Sequence, residues 1–240
     1  MLRQLLSKLP PELIVTMLAG SPSVVAQGNK FKVPTILRVV GPDTDEGMPP
    51  LEETTIILAN SPATAQLCET RYGRKTPYVL ELVNHDDYTC EREPPGSVTF
   101  VNPRLKKGLE LVTEVARRLL HIPFLIVHGW SRSEYVPAEA RAIEFLSELP
   151  NVRQYSKMSE MRDVYAQTRM LLVPSKWPES WARVIGEAQS SGIPVLVSDR
   201  GSSPLQVGQG GVVLPYGNIE LWCKTIERLW RDQSAYSELE

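Results

Sequence analysis

Cysteine and histidine are both scarce in this sequence. Three residues of each type occur among 240, and the cysteines at positions 68, 90 and 223 lie far apart. No CxxC pair and no Cys/His cluster has the spacing of a zinc site. The sequence therefore indicates no disulfide framework and no metal site, and it predicts reduced cysteines in a cytoplasmic protein. Peripheral attachment to the inner face of a membrane stays open.

Long apolar runs and an excess of one charge are also missing. No run of ~18 apolar residues is present to span a bilayer, and a net charge of −2 offers no footprint for nucleic acid. The hydrophobic share of 42% and the charged share of 22% are ordinary for a globular protein. At ~150 residues per domain, the chain is predicted to form one large or two modest domains.

The sequence does contain a regular alternation of short β-type apolar runs with amphipathic helical stretches. This alternation predicts an α/β fold with parallel sheets covered by helices. One predicted helix runs from Pro62 to Tyr72, with Ser61 as its N-cap and Gly73 as its stop. The predicted strands cover residues 13–17, 35–40, 55–59 and 78–82, then 98–101, 124–128, 170–174 and 195–198, with shorter strands near residues 152 and 212.

Two prolines and a glycine interrupt this pattern between Cys90 and Gly96. Such a charged stretch rich in proline is typical of a linker. We therefore predict a first domain over residues 1–93 and a second over residues 94–240. Both parts share a strand-helix-strand order, as two Rossmann-like lobes would.

A pair of glutamates carries the clearest chemical signal. Seven residues separate Glu179 from Glu187. The helix between them is predicted to begin near Ala182 or Arg183, which puts Glu179 in the preceding loop and Glu187 about one turn in. Both carboxylates can then reach the crevice at the carboxyl ends of the strands, where open α/β sheets bind ligands.

This arrangement suits a nucleotide sugar. The free N–H groups at the helix start favour a diphosphate, and the flanking carboxylates can accept hydrogen bonds from sugar hydroxyls. The spacing alone also fits a solvated helix face. The flanking residues separate these two interpretations.

The sequence around the two glutamates resembles the donor-binding domain of the GT4-type retaining glycosyltransferases. In that family an E-x7-E motif is followed by E-A-x-x-x-G-x-P-V, which here is Glu187 to Val195. Residues 101–108 resemble the first loop of that domain, residues 59–62 and 83–88 the end of the preceding domain, and residues 201–214 the Gly-rich loop. The resemblance implies a GT-B fold of two Rossmann-like lobes. Because the match begins partway through the first, it also implies an incomplete N-terminal lobe and a nearly complete donor lobe.

The resemblance implies a metal-independent transfer of a hexose, with retention, from a nucleoside-diphosphate sugar to an unknown acceptor such as a sugar, a lipid-linked glycan or a small molecule. Lys107 would contact the donor phosphates and stabilise the departing diphosphate. Glu179 would orient the hexose, and Glu187 would hold the ribose hydroxyls. No cofactor and no nucleic-acid partner is implied. The other predicted donor contacts are Arg104, Gly129, Trp181, Ala182, Arg183 and Val184.

The sequence departs from the family pattern in two informative places. The family usually has an arginine five residues before the phosphate-binding lysine, and Asn102 stands there. We expect Arg104 or Arg183 to provide that positive charge instead. A glutamate commonly follows the proline of the Gly-rich loop, where this chain has Leu205.

Two other functions stay open. One is a non-catalytic nucleotide-binding module or partner subunit, which would pair with a second copy or a complementary subunit through its incomplete lobe. The other is a sugar-nucleotide epimerase of the same fold. A weaker site candidate is His128, because it ends a predicted strand at the ligand crevice.

Overall fold

The computed structural model describes residues 2–9, 11–41, 50–93, 96–129, 131–156 and 158–240. Its internal contacts divide the chain into two units, Met1–Glu81 and Leu82–Glu240. Residues 82–93, which the sequence places at the end of the first domain, pack within the second unit. There the Thr89 hydroxyl donates to the Ser190 carbonyl at 3.2 Å and the Cys90 N–H donates to Ser191 Oγ at 3.0 Å. The domain boundary between residues 93 and 94 stays a prediction.

The first unit is a three-stranded parallel sheet in the order β1-β2-β3. One face packs against helices through an apolar cluster that includes Val25, Leu37 and Cys68. The strands are β1 (Ile14–Met17), β2 (Thr35–Val39) and β3 (Thr55–Ala59), and the helices are α1 (Leu2–Lys8), α2 (Ser21–Phe31) and α3 (Pro62–Tyr72).

Helix α3 has the predicted bounds and the predicted caps. The Ser61 hydroxyl oxygen accepts the N–H of Thr64, and Gly73 ends the helix in the left-handed conformation. The predicted strand over residues 78–82 is wrong. Only one bridge, between Ala59 and Tyr78, extends the sheet there. Val79 is 59% exposed, so burial of this apolar run does not stabilise a fourth strand.

The second unit is a six-stranded parallel sheet in the order β6-β5-β4-β7-β8-β9. Its strands are β4 (Ser97–Val101), β5 (Phe124–Val127), β6 (Val152–Tyr155), β7 (Thr168–Val173), β8 (Val195–Ser198) and β9 (Gly211–Leu214). Its helices are α4 (Leu109–Arg118), α5 (Pro137–Glu148), α6 (Arg162–Ala166), α7 (Arg183–Gln189), α8 (Ser203–Val207), α9 (Ile219–Arg231) and α10 (Gln233–Ser237). The parallel sheets and their helices confirm the predicted α/β class.

Apolar clusters cover both faces of this sheet. Alternate residues of β7 point to opposite sides: Leu172 belongs to the cluster with α4 and α9, and Leu171 to the cluster with α7 and α8. Strands buried on both faces are expected for a parallel sheet between two helix layers. No helix of the described residues is long and apolar enough to cross a membrane.

Candidate functional site

The strand order reverses between β4 and β7, and the candidate site lies at this reversal. After β4 the chain continues to β5 and β6 on one side, and after β6 it returns to β7 and continues to β8 and β9 on the other. The connections that leave β4 and β7 therefore run to opposite faces of the sheet, through α4 and α7. Open α/β sheets bind ligands in the crevice at such a reversal.

Lys107 is positioned by the loop over residues 102–108. Gly108 ends this loop with a φ of +95°, and a Cβ atom there would lie 2.1 Å from the Pro174 carbonyl oxygen. Only glycine fits both demands. Two backbone N–H groups of the loop after β7 also donate to the Lys106 oxygen, at 3.0 and 3.1 Å. The two loops are thereby fixed side by side.

Lys107 and Glu179 form an ion pair at the centre of the site. The Lys107 Nζ atom lies 2.6 Å from one carboxylate oxygen of Glu179 and 2.8 Å from the other. The Ser175 hydroxyl donates a further hydrogen bond to this carboxylate. Glu179 is only 6% exposed, so its charge depends on these partners.

A cavity of about 170 Å³ opens beside this ion pair. The structure brings six of the nine predicted site residues to its wall. These are Lys107, Glu179, Trp181, Ala182, Arg183 and Val184. Glu187, Arg104 and Gly129 are not among the lining residues.

Glu187 is held on α7 by two side chains. It is 7% exposed, and the Tyr165 hydroxyl donates to its Oε2 at 2.8 Å. Burial, and then the nearby Glu187 charge, raise the pKa of Tyr165 above its ordinary value, so this phenol stays a donor. Arg183 lies 3.6 Å from the other carboxylate oxygen and donates to the Tyr88 hydroxyl at 3.0 Å.

The two arginines considered for the missing charge have different environments. Arg104 forms a 3.1 Å ion pair with the buried Glu139 and lies over the ring of Tyr135 at 5.5 Å. Its guanidinium is therefore held by Glu139 on α5 and by Tyr135 just before that helix. Arg183, with a side chain 53% exposed, lines the cavity. The structure brings Arg183, and not Arg104, to the cavity wall.

The structure places His128 and Gly129 at the end of β5, outside the residues that line the cavity. Both ring nitrogens of His128 have partners, at 2.9 Å from the Tyr135 hydroxyl and 2.9 Å from Gln154. Gly129 packs beside Asn102, whose Oδ1 atom is buried without a hydrogen-bond partner among the described residues.

Two residues that support the site were missed by the sequence analysis. Ser175 binds Glu179, and Tyr165 binds Glu187. Ser175 lies four residues before Glu179 and two residues after the end of β7, so its position gave a weak signal. Tyr165 lies 22 residues before Glu187 and gave none. Across the described parts of the chain, no group of three His, Cys, Asp or Glu side chains has a geometry that could hold a metal ion.

The residues of this site belong to a segment with known relatives. Residues 97–232 match the family model for glycosyl transferases group 1. The chain belongs to this family. A comparison with curated protein sequences gives no significant match.

Solved structures share the fold of this group 1 glycosyltransferase. HepE from Anabaena, in complex with UDP and glucose, aligns with 99% of this chain and 73% of its own, with a TM-score of 0.80 and 16% identity. Sucrose-phosphate synthase from Thermosynechococcus elongatus covers 99% of this chain and 69% of its own, with a TM-score of 0.80 and 18% identity. The alignment with a glycosyltransferase from Rickettsia africae covers 94% of this chain and 68% of that protein, with a TM-score of 0.75 and 16% identity. These likenesses confirm the predicted GT-B type of fold.

Proposed function

We propose that this group 1 glycosyltransferase transfers a hexose from a nucleoside-diphosphate sugar to an acceptor, with retention and without a metal ion, as the GT4-type enzymes do. The observation that carries the proposal is the Lys107–Glu179 ion pair beside a cavity at the reversal of strand order. In this pair, a cation that can bind phosphate lies within hydrogen-bonding distance of a carboxylate that can bind hydroxyl groups.

The diphosphate would lie against Lys107 and Arg183. Both cations line the cavity, and the lysine is held by a partly buried contact where charge interactions are stronger than in water. Negative charge develops on the departing diphosphate as the bond to the sugar breaks. Cations already in place stabilise that charge without reorganisation, so no protein nucleophile is required.

The two glutamates would hold the two ends of the donor. Glu187, oriented by Tyr165, is suited to accept hydrogen bonds from the ribose hydroxyls. Glu179, next to Lys107, is suited to accept them from the hexose. HepE was solved with UDP and with UDP-glucose, which supports a nucleoside-diphosphate sugar as the ligand class.

The direct test is a calorimetric binding screen of nucleoside diphosphates and their sugars, including UDP and UDP-glucose. We expect Lys107→Met to weaken diphosphate binding about tenfold or more, because a charge-assisted hydrogen bond contributes ~1.5 to 3 kcal/mol. The matched control is Lys106→Met, which removes an exposed neighbouring charge that lies over Trp177. Equal affinity of the two variants would contradict the role of Lys107.

The metal independence and the stereochemistry need separate measurements. Binding should be unchanged by EDTA, since lysine and arginine side chains neutralise the phosphates. A loss of affinity in EDTA that magnesium or manganese restores would contradict this. Retention is tested by NMR, where the product should keep the anomeric configuration of the donor.

An exposed apolar face favours a second candidate, a subunit that works with a partner. Val15, Met17 and Ile56 lie on one face of the first sheet and are 65%, 50% and 52% exposed. Parallel sheets are normally buried on both faces. A second copy or a complementary subunit on this face would supply the cover, and transfer by the isolated chain would then be weak.

A further inference from the structure

The segment between β8 and β9 holds the loop of Glu179 at two separate points. At the first, the Ser202 N–H donates to the Glu179 carbonyl oxygen at 2.7 Å. Gly201 makes this approach possible, because a Cβ atom at its position would lie 2.2 Å from the same oxygen. This contact fixes the glutamate end of the loop.

The second point is a two-way amide contact made by Gln206. Its Oε1 accepts the Ala182 N–H at 2.9 Å, and its Nε2 donates to the Ala182 carbonyl oxygen at 2.9 Å. One side chain therefore satisfies both backbone groups of a single residue. Glutamine is suited to this contact, because its amide combines a donor and an acceptor at the required spacing.

Ala182 lies at a critical place in the loop. It is the residue before α7, and it lines the cavity between Trp181 and Arg183. Its N–H is already bonded to Gln206, so it differs from the predicted role of an amide that binds the donor directly. The orientation of the two peptide units on either side of Ala182 decides where Trp181 and Arg183 point.

We propose that Gln206 is a positioning residue for the donor. By fixing the Ala182 peptide, it holds Trp181 and Arg183 at the cavity wall in the geometry that receives the diphosphate and sugar. Leu205, at the position where the family commonly has glutamate, is 63% exposed, and the next residue makes the contact with the loop. This proposal rests on the nucleotide-sugar function proposed above.

A matched control separates positioning from simple packing. Gln189 also joins α7 to the end of α8, since its Nε2 donates to the Val207 carbonyl at 2.8 Å. It is half-buried like Gln206, but its amide contacts Val207 rather than Ala182. Gln189→Met therefore removes a glutamine that connects the same two helices and leaves the Ala182 peptide in place.

The experiment compares Gln206→Met and Gln189→Met in three measurements: thermal stability, hydrogen exchange of the Ala182 amide by NMR, and affinity for UDP and UDP-glucose below the melting temperature. We expect both variants to lose stability. Only Gln206→Met should expose the Ala182 amide to exchange and weaken the affinity for both probes by about tenfold. Gln206→Glu keeps the acceptor and loses the donor, so it should weaken affinity too, and it replaces the methionine variant if that variant does not fold.

The outcomes are distinguishable. If Gln206→Met binds UDP and UDP-glucose within about twofold of Gln189→Met, the positioning role is wrong while the proposed function stands. An Ala182 amide that exchanges equally in wild type and Gln206→Met would also overturn it. If the wild-type chain binds no nucleoside diphosphate in the screen, the proposed function fails and the positioning role fails with it.

Discussion

In the second unit, strands β5, β7 and β8 are buried on both sides of the sheet, whereas residues along β1 and β3 of the first unit alternate between buried and more exposed positions. In β7 only Arg169 is partly exposed. In β1, by contrast, Ile14 is 9% exposed and the next residue, Val15, is 65% exposed. The same parallel architecture therefore has two helix-covered faces in one unit and one in the other. The candidate site belongs to the unit with two.

The largest expected effect is on the free energy of unfolding. It should differ between a strand that is covered on both faces and the exposed face of the first sheet. Leu172→Ala in β7 should lower the free energy of unfolding by about 2 to 5 kcal/mol, because a buried leucine leaves a cavity. Met17→Ala in β1 should change it by less than about 0.5 kcal/mol, since that side chain is half exposed. Urea unfolding of both variants measures the difference. Equal losses would mean that Met17 is buried in solution.

The next largest effect is expected on nucleotide affinity, which should depend on the second unit and not on the first. Glu187→Ala should weaken nucleoside-diphosphate affinity by about 1.5 to 3 kcal/mol, because it removes the proposed charge-assisted hydrogen bond to ribose. The control is Glu53→Ala, which removes an exposed carboxylate from the first unit and should leave affinity unchanged. Calorimetry decides. Unchanged binding in Glu187→Ala would contradict the ribose role.

A smaller effect is expected on self-association. Ile56→Lys places a charge on the exposed face of the first sheet and should raise the dimer dissociation constant about tenfold, because burial of one apolar side chain contributes ~1.5 to 3 kcal/mol. Val213→Lys, on β9 of the second unit, is the control at an exposed valine. Sedimentation over a range of concentrations measures both. A monomeric wild-type chain would show that a second copy does not cover this face.

The smallest expected effect is on the stability of the second unit at alkaline pH. The folded pKa of Tyr165 is raised above its unfolded value of ~10, so folding favours the protonated phenol. Its stabilisation is complete below pH ~10 and decreases as the pH rises further, since only the unfolded state then loses the proton. Tyr165→Phe should flatten this decrease. Tyr78→Phe, at a half-exposed tyrosine of the first unit, should not.

The local patterns of the sequence predicted most of the fold. Helix α3 has a serine cap, a glycine stop and an apolar core position at Cys68, all encoded within thirteen residues of chain, and its bounds were predicted correctly. The strand predicted at residues 78–82 failed for the opposite reason. Its composition is β-type, but a strand also needs burial, and Val79 and Leu82 have little of it.

The site was predictable in its residues and less so in its contacts. The spacing of the two glutamates and the start of α7 followed from local sequence, and six of the nine predicted site residues line one cavity. Arg104 and Glu139 are in contact although 35 positions separate them in the sequence, and Gln206 and Ala182 are separated by 24 positions. No periodicity encodes which polar side chain meets which backbone group at such separations.

The ion pair of Lys107 with Glu179 would also influence which ligands bind tightly at the proposed donor site. Each charge is the partner of the other, and the carboxylate is almost entirely buried. A phosphate alone would take the lysine and leave the carboxylate short of a cation, and a sugar alone would compete for the carboxylate without replacing the lysine's partner. Either exchange leaves a desolvated charge unpaired, which is costly. Under the proposed function, a nucleoside-diphosphate sugar would present an anion and hydroxyl donors together, so it should bind more tightly than the nucleoside diphosphate alone.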